Sequence, residues 1–561
     1  MRPIVFDQTI GWLHSAAGKR GVVIAGALGF EDLCSRRFLT LLAGQLAGAG
    51  FPVLQFDYPG CGDAAGDHTQ PGRLASWIGS INTAIDRLKS ETSVTDVLVV
   101  GFRLGALLAP IAVAGRSDVA GMALLAPPAS GKSYVRELVG LSRIVDAALR
   151  AGASASDFDG VEASGFRTSA ETIADLRGLA WGEDLVIRPG LDLLLMSPQI
   201  APAHEDLAGR VAASGGITWI KPFDGFERMM SRPIHDVPEL PLSVVVEWAG
   251  SRGNLSAGEK ARLVSEPAVL EGDGYRELPQ FLGPAPDICG VLCVPETLPP
   301  EAKVVLILNA GAIPHIGAAR GAVDMARSLA RQGIASMRVD LPGLGQSGAP
   351  TEKRIPLYDE RTRTDVMRIV DWLDRYGFRR ICAIGICAGA FQAFHAARHD
   401  PRIANLVMVN PLCFSWNSSY ALDIELSNIR DNARGLQSVD GDQDEQAEGK
   451  GDAKTMALKA AKRALRSAME LFKSALLISR TLTGRSVEGW MRDLTRRGTR
   501  VLVVSCEGDL SLHEIARHFG PDGRRLKQMS GVATALIPAA NHTLTPLPAR
   551  QQLTELVRQF M

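Results

Sequence analysis

The sequence predicts two tandem α/β domains, each with a mostly parallel sheet and helices on both faces of that sheet. Three observations predict this fold class. The chain has 561 residues, which is too long for a single core. It contains an internal repeat, and strand-like and helix-like segments alternate within each copy. A hydrophobic content of 46% and an aromatic content of 6% suit such a protein.

The repeat consists of segments of the first half that recur in the second half in the same order. Val339 follows Phe56 by 283 residues and Ala383 follows Val99 by 284, so the offset is nearly constant. Such an offset predicts two copies of one domain. The matched segments are "FDYPGCG" and "VDLPGLG" (56–62 and 339–345), "VVGFRLGALLA" and "AIGICAGAFQA" (99–109 and 383–393), and "MALLAPP" and "LVMVNPL" (122–128 and 406–412).

Each copy carries the same order of structural signals. A short apolar run ending in glycines precedes a helix, a strand ending in Asp-x-Pro-Gly-x-Gly, a further helix, and a strand that turns sharply into a helix. We expect the chemistry at the strand ends and loops of one sheet edge. We place the domains at 1–258 and 259–561, with "YRELPQFLG" and "DICGVLCV" opening the second domain as an antiparallel hairpin.

An insertion at 434–485 interrupts the second copy. Its first part is acidic, rich in glycine and poor in large apolar residues, which is typical of disorder. The stretch "TMALKAAKRALRSAMELFKSALLISRTL" then has apolar residues at helical spacing with Lys and Arg opposite them. We expect this helix to form a cap over the site. A helix on a membrane surface and a solvated basic face are alternatives.

The stretch "ICAIGICAGAFQAF" (381–394) indicates a nucleophile. It resembles the Gly-x-Ser-x-Gly elbow of the α/β-hydrolase superfamily, with Gly385 and Gly389 at the small positions and Cys387 in place of serine. A helix N-terminus and a nearby imidazolium both lower a thiol's pKa, and thiolates are good nucleophiles. The alternative is that Cys387 is a packed residue at a helix start.

The resemblance implies an acid and a base after the last two strands, in that chain order. "TRVLVVSCEGDLSL" ends in Asp509 and "ATALIPAANHTLTP" ends in His542, so we carry the two roles to these residues, with Glu507 as the alternative acid. His542 would pair with the Cys387 thiolate or take its proton, and Asp509 would fix the imidazole tautomer. Taken singly, Asp509 also suits a helix cap and His542 a loop.

The resemblance also implies an oxyanion hole made of two backbone N–H groups. One belongs to Ala388, directly after the nucleophile, and the other to Ala310 or Gly311 in the turn after "VVLILNAGAIPHIG". Asn309 and His315 lie in the same loop. They either contact substrate or bond their own backbone as turn residues.

The first copy lacks all three chemical roles. Arg103 occupies the nucleophile position and cannot attack, since arginine stays protonated. The strand in "LDLLLMSPQIAPA" ends without an acid, and 223–226 stand where a histidine is expected, while His204 and His235 are out of register. We expect this half to be catalytically silent. Arg103 then forms a structural salt bridge or binds an anion.

Two family resemblances follow from these motifs. The first half is similar to hydrolase-like proteins encoded beside exosortase and exopolysaccharide systems, through "GFEDLCSRRFLTLLAGQLAGAGFPVLQFDYPGCGDAAGD" and an elbow with Arg103. The second half resembles bacterial α/β-hydrolases with "NAG" loops, Gly-x-Cys elbows and a terminal motif like 541–543. These motifs indicate the fold specifically, but they say little about the substrate, because this fold hosts many chemistries.

Three functions compete at this stage. The first is a hydrolase that cleaves an ester, thioester or amide through a Cys-His-Asp triad and an acyl-enzyme. The second is an acyltransferase that takes an acyl group from a carrier thioester, with an acyl carrier protein as candidate partner for the basic cap helix. The third is a non-catalytic interaction protein.

The composition limits which binding partners and which cellular location we expect. The formal net charge is +0, so no global field favours nucleic acid or anionic lipid. Cys289 and Cys293 lack a second pair or a nearby histidine, so we expect no zinc site, and no other metal or cofactor. The sequence has no apolar run of membrane-spanning length and no secretory h-region at its start, so we expect a cytoplasmic protein.

Overall fold

The structure, a computed structural model, describes residues 1–150, 158–233, 237–251, 267–282, 287–298, 302–348, 357–415 and 486–561. It contains two large sheets, one in each half of the chain. The predicted fold class is confirmed. The boundary placed between 258 and 259 and the insertion at 434–485 lie outside the described residues, so both stay predictions.

The first half forms an eight-stranded sheet in the order β1-β2-β4-β3-β5-β6-β9-β10. In this sheet β1 pairs antiparallel with β2, and β2 pairs antiparallel with β4. All other neighbouring strands of the sheet pair parallel. The strands are β1 Arg2–Phe6, β2 Thr9–His14, β3 Arg20–Ala25, β4 Val53–Phe56, β5 Asp96–Phe102, β6 Val119–Leu125, β9 Asp192–Ser197 and β10 Thr218–Pro222, with a separate hairpin of β7 Gly160–Ala163 and β8 Phe166–Ser169. The helices are α1 Gly29–Gly48, α2 Arg73–Glu91, α3 Leu104–Ala112, α4 Gly131–Arg150, α5 Ala170–Gly178, α6 Pro202–Ala213, α7 Phe226–Ser231 and α8 Glu239–Gly250.

The second half repeats this topology and adds one strand at the edge. Its order is β11-β12-β13-β15-β14-β16-β17-β18-β19, and the predicted hairpin is the antiparallel pair β12–β13. The strands are β11 Leu270–Gly272, β12 Tyr275–Leu282, β13 Ile288–Val294, β14 Val304–Leu308, β15 Ala335–Asp340, β16 Ile381–Ile386, β17 Ile403–Val409, β18 Arg500–Cys506 and β19 Val532–Ile537. The helices are α9 Gly321–Ala330, α10 Thr362–Tyr376, α11 Ala388–His399, α12 Val487–Arg496, α13 Ser511–Phe519, α14 Arg524–Lys527 and α15 Leu547–Phe560, with short 3₁₀ turns at Ala318–Arg320 and Pro521–Gly523.

Each sheet has a hydrophobic core on both of its faces. The central parallel strands are apolar at nearly every position because both faces of the sheet are covered by helices. In the second half, α10 and α11 bury Val366, Ile369 and Phe394 on one face, and α15 buries Leu553 and Val557 on the other. These cores hold the ends of β16, β18 and β19 at one edge of the sheet.

The repeated Asp-x-Pro-Gly-x-Gly motif forms the same tight loop in both halves. The first loop spans 57–66 and the second spans 340–348. Asp57 Oδ2 accepts a hydrogen bond from the Asp63 backbone at 2.8 Å, as Asp340 Oδ2 does from Gln346 at 2.9 Å. A Cβ at Gly62 would lie 2.3 Å from the Asp57 carboxylate carbon, so only glycine fits inside the loop.

The two halves meet through a buried charge network centred on Asp63. The Asp63 carboxylate is fully buried and pairs with His315 Nε2 and with Arg338 Nη1, both at 2.7 Å. Arg338 also donates to Glu277 at 2.5 Å, and Glu277 accepts from Arg327 at 2.7 Å. Acids and bases alternate along this network, which is what buried charges require.

The contacts between the halves are reciprocal. From the second half, Arg320 and Arg327 donate to backbone carbonyls of the loop 57–66. From the first half, Arg37 donates to the Ser347 carbonyl at 2.6 Å and Thr40 donates to the Gln346 side chain at 2.9 Å. Since α1 and α9 hold equivalent places in the two domains, the repeat packs against itself much as the subunits of a symmetric dimer do.

Candidate active site

The nucleophile elbow of the second half is the turn between β16 and α11. Cys387 has φ +56° and ψ −116°, a strained conformation for a residue with a side chain. Its backbone N–H donates to the Val409 carbonyl at 3.0 Å, which fixes the turn to the next strand. A Cβ at Gly385 would lie 2.0 Å from the carbonyl carbon of Gly389, and one at Gly389 would lie 2.6 Å from the Asn309 carbonyl oxygen. Both glycines are therefore required by close backbone approach.

The acid and the base come from the loops after β18 and β19. Asp509 Oδ2 and His542 Nδ1 are 2.7 Å apart. The other carboxylate oxygen of Asp509 accepts from the Ser511 N–H at 2.8 Å, and Asn410 donates to the His542 carbonyl at 2.8 Å. Glu507, the alternative acid, forms no ion pair or hydrogen bond with His542 among the described residues. Of the two candidate acids, Asp509 is the one that contacts the imidazole.

His542 faces Cys387 with its second nitrogen. Nε2 is buried and forms no hydrogen bond of good geometry with any residue that the structure describes. It nevertheless lies close enough to the thiol to change its ionisation. Nucleophile–base contacts in unliganded enzymes often lack good hydrogen-bond geometry and tighten when substrate binds.

The electrostatics of this pair favour a thiolate and an imidazolium. Burial opposes ionisation of Cys387, but the adjacent His542, together with Tyr358 and the Ala388 N–H, outweighs it and lowers the pKa of the thiol. Burial likewise opposes protonation of His542, but Asp509 and Cys387 outweigh it and raise the pKa of the imidazole to about 10. A lowered thiol pKa and a raised imidazole pKa are the shifts that a thiolate–imidazolium pair requires.

The predicted oxyanion-hole residues surround the elbow. The Ala388 N–H points at the sulfur and contributes to the lowered pKa of Cys387. Ala310 and Gly311 follow β14, and Gly311 has φ +63° and faces open space, since a Cβ added there would have no atom within 4 Å. Ala310 lines a small cavity of about 60 Å³ together with Thr543, the residue after the histidine. The loop that would supply the second donor thus shares a cavity wall with the residue that follows His542.

Asn309 and His315 are engaged within the protein. Asn309 donates to the Ile313 carbonyl at 3.0 Å and to Asp340 at 2.9 Å, and accepts from the Leu341 N–H. His315 places one ring nitrogen on Asp340 and the other on Asp63, each at 2.7 Å. These contacts favour the turn alternative for Asn309, whereas the His315 ring bonds two carboxylates and not its own backbone.

Tyr358 is a site residue that the sequence analysis did not identify. Its hydroxyl lies 3.2 Å from Cys387 Sγ, and its ring packs edge-on against Phe391. Burial and the adjacent thiol raise the pKa of Tyr358, so the phenol stays neutral and can donate to a thiolate. Nothing in the sequence before α10 signals this role, because Tyr358 belongs to no periodic pattern or motif.

The elbow of the first half has the same backbone geometry and different chemistry. Arg103 has φ +52° and ψ −114°, close to the values of Cys387. Its guanidinium pairs with Glu31 at 2.6 Å and with Glu137, and lies 5.6 Å above the ring of Phe226. The salt-bridge interpretation of Arg103 therefore fits the structure, since two carboxylates already occupy the place that an anion would take.

The other two roles are not filled in the first half either. β9 ends at Ser197, whose hydroxyl bonds the Gln199 carbonyl, and β10 is followed by Phe223 and its aromatic neighbours. His204 is buried at the start of α6, where its Nδ1 accepts from the Ala201 N–H. His235 lies outside the described residues.

One group of potential metal ligands lies within the network between the halves. The donor atoms of Cys289, His315 and Asp340 are within 4.8 Å of one another and all three residues are buried. Both nitrogens of His315 are already bonded to carboxylates, so a metal would have to displace Asp63 or Asp340. We assign this group to the interdomain contact.

Comparisons with known proteins agree with the fold. The family model described as alpha/beta hydrolase fold matches residues 304–440, and the model described as serine aminopeptidase, S33, matches residues 22–156. Each half of the chain thus matches a model of this type, in agreement with two α/β-hydrolase folds in tandem. Neither description mentions exosortase systems, so that resemblance stays a prediction. No curated protein matches the sequence.

Several solved structures resemble part of the chain. Est1E from Butyrivibrio proteoclasticus is 17% identical, covers 45% of this chain and 98% of its own, and has a TM-score of 0.31. A predicted CIB-like hydrolase from Thermoplasma acidophilum is 13% identical over 51% of this chain and 100% of its own, with a TM-score of 0.30. An alpha-beta serine hydrolase homologue from Coxiella burnetii is 13% identical over 54% and 99%, with a TM-score of 0.29. No helix among the described residues has the length and apolar character needed to cross a membrane.

Proposed function

We propose that the second half is an acyl hydrolase that cleaves an ester, thioester or amide through an acyl-cysteine on Cys387. The observation that carries this proposal is the strained elbow that presents Cys387 to His542, whose other nitrogen is 2.7 Å from Asp509. Arg103 shares this strained backbone, so the feature that sets the second elbow apart is the adjacent His542–Asp509 pair together with the lowered pKa of the thiol.

The proposed reaction has two covalent steps. The Cys387 thiolate attacks the acyl carbon, and the bond from that carbon to the leaving group breaks as the His542 imidazolium gives its proton to the leaving group. Water then attacks the resulting thioester, His542 takes a proton from that water, and the carboxylic acid leaves as the thiolate is restored. The Ala388 N–H and a donor from the loop at 310–311 stabilise the oxyanion in both steps.

In this proposal the first half does not catalyse. Arg103 cannot act as a nucleophile, and it is held by Glu31 and Glu137. Its elbow keeps the shape of an active site without an acid–base pair. The first half instead supports the second through the Asp63 network, which includes His315 in the loop that follows β14.

The test is turnover of a panel of acyl esters, acyl thioesters and anilides by the full chain. We expect no turnover in Cys387→Ala, a trace in Cys387→Ser, and wild-type turnover in Cys34→Ala, whose cysteine is buried in α1 of the first half. Turnover that survives in folded Cys387→Ala would overturn the proposal. If an added amine or thiol receives the acyl group faster than water does, the chain is the acyltransferase named above.

A further inference from the structure

The loop 309–315, which follows β14, lies between the proposed oxyanion hole and the contact between the two halves. It carries Ala310 and Gly311, one of which would supply the second oxyanion donor of the proposed reaction. Its middle residues are half-buried, whereas Asn309 and His315 at its ends are buried. A Cβ added at Gly311 would have no atom of the described residues within 4 Å. The position of the donor therefore depends on how the two ends of the loop are held.

One carboxylate, that of Asp340, holds both ends of this loop. Its Oδ1 accepts the side-chain N–H of Asn309 at 2.9 Å and the backbone N–H of His315 at 2.7 Å. Its Oδ2 lies 2.7 Å from His315 Nδ1. The carbonyl of Asn309 faces the elbow, since a Cβ at Gly389 would lie 2.6 Å from that oxygen. The loop is thus fixed to the end of β15 and fits closely against the turn that presents the nucleophile.

The first half completes this arrangement through Asp63. His315 Nε2 lies 2.7 Å from Asp63 Oδ2, and both side chains are fully buried. Burial opposes protonation of His315, but the Asp63 and Asp340 carboxylates outweigh it and raise the pKa of the imidazole to about 10, so each ring nitrogen donates to one carboxylate. Without Asp63, the Nε2–H group would be a buried donor that has lost its acceptor, which costs free energy. Relief of that cost requires the ring, and with it this end of the loop, to move.

We infer that Asp63 is a positioning residue for the reaction of the second half, although it belongs to the half that does not catalyse. This inference rests on the proposed function. Asp63 acts through His315 and Asp340 on the loop that would place the second N–H group of the oxyanion hole. Misplacing such a donor weakens the stabilisation of the transition state and changes the binding of the ground state little.

The inference separates two properties of the site. The groups that lower the pKa of Cys387 are His542, Tyr358 and the Ala388 N–H, and Asp63 is not among them. Alkylation by iodoacetamide displaces iodide at a saturated carbon, so it forms no oxyanion and needs only the thiolate. Acyl transfer needs both the thiolate and the oxyanion hole. Loss of Asp63 should therefore impair turnover and spare alkylation, whereas general damage to the site would impair both.

The experiment compares Asp63→Asn with the wild-type full chain on an acyl substrate whose turnover depends on Cys387. We expect kcat to fall by about tenfold or more with little change in KM, because the lost interaction belongs to the transition state. The rate of iodoacetamide labelling of Cys387 should stay within about twofold of the wild-type rate, since the thiolate does not depend on Asp63. Hydrogen–deuterium exchange of the peptide that contains 309–315 should become faster in the variant.

Two further variants keep the test decisive. Thr40→Val is the matched control, because it removes another hydrogen bond between the halves, the one to the Gln346 side chain at 2.9 Å, and it should keep wild-type turnover. His315→Gln breaks the Asp63 contact from the second half, so it should show the same loss of kcat with unchanged labelling even if Asp63→Asn does not fold.

The possible results distinguish this inference from the proposed function. Unchanged kcat in folded Asp63→Asn or folded His315→Gln, or a fall in kcat with an equal fall in labelling, would overturn the inference and leave the proposed function standing. A fall in kcat of the same size in Thr40→Val would also overturn it, because any contact between the halves would then have the same effect. If the wild type shows no turnover that depends on Cys387, the proposed function and the inference both fail.

Discussion

Replacing His542 with alanine should slow the alkylation of Cys387 near neutral pH. In the structure His542 is the main group that lowers the pKa of this thiol, and it acts against burial. Without the imidazole, burial dominates and the pKa of Cys387 rises. Below the pKa, each unit of increase lowers the thiolate fraction about tenfold and raises the nucleophilicity of the remaining thiolate about threefold. The rate should therefore fall by about threefold for each pKa unit that His542 supplies.

The sign of the pH dependence follows from the same argument. The thiolate is the reactive form, so a lowered pKa moves the rise in labelling rate to lower pH. The wild type should reach its plateau at a lower pH than His542→Ala, and the two rates should converge or cross in strongly alkaline solution. Asp509→Asn should lie between them, because the imidazole stays in place and loses the carboxylate that raises its pKa.

The assay is iodoacetamide labelling across pH with peptide mapping, since the chain has eight cysteines. We expect the other thiols to label slowly, since burial raises the pKa of Cys382, for example, to about 12. His513→Ala is the matched control, because His513 is exposed on α13. Labelling of Cys387 that is the same in His542→Ala and in the wild type across the whole pH range would refute the reasoning.

Three other predictions concern groups around the site and between the halves. Asp63→Ala leaves two buried cations without their shared carboxylate and should lower the free energy of unfolding by about 3–5 kcal/mol in urea titration; a loss below about 1 kcal/mol would contradict the charge network. Tyr358→Phe removes a donor 3.2 Å from Cys387 Sγ and should shift the labelling profile to higher pH, whereas an unchanged profile would mean that the contact does not stabilise the thiolate. Arg103→Ala should leave turnover unchanged while lowering the melting temperature, and loss of turnover in folded protein would show that the first half takes part in the chemistry.

The fold followed from the sequence because its signals are local or periodic. The nearly constant offset between "FDYPGCG" and "VDLPGLG" predicts two domains, and the strand–helix alternation predicts their sheets. The elbow also follows locally, since Gly385 and Gly389 are needed for close approach at fixed positions. Asp509 and His542 were identifiable through the family resemblance, which implies an acid and a histidine after the last two strands, and the structure brings them within hydrogen-bonding distance.

The parts that the sequence did not indicate depend on contacts between distant segments. Asp63 follows the last glycine of its motif and resembles any polar loop residue, yet it carries the contact between the halves. His315 was a candidate for substrate binding because nothing in its own loop shows that Asp63 will meet it. Tyr358 reaches Cys387 only through the fold. Periodicity and short motifs do not encode such pairings, because the two partners meet only when the other domain or a distant loop has packed against the site.

The most direct measurement of the central claim is intact-protein mass spectrometry during turnover of a slowly hydrolysed acyl ester or thioester. The proposed chemistry predicts a mass increment of one acyl group that maps to Cys387, is absent in Cys387→Ala, and accumulates in His542→Ala if deacylation is the slower step there. An acyl group on another residue, or turnover by the wild type with no adduct on Cys387 even after rapid acid quenching, would contradict it.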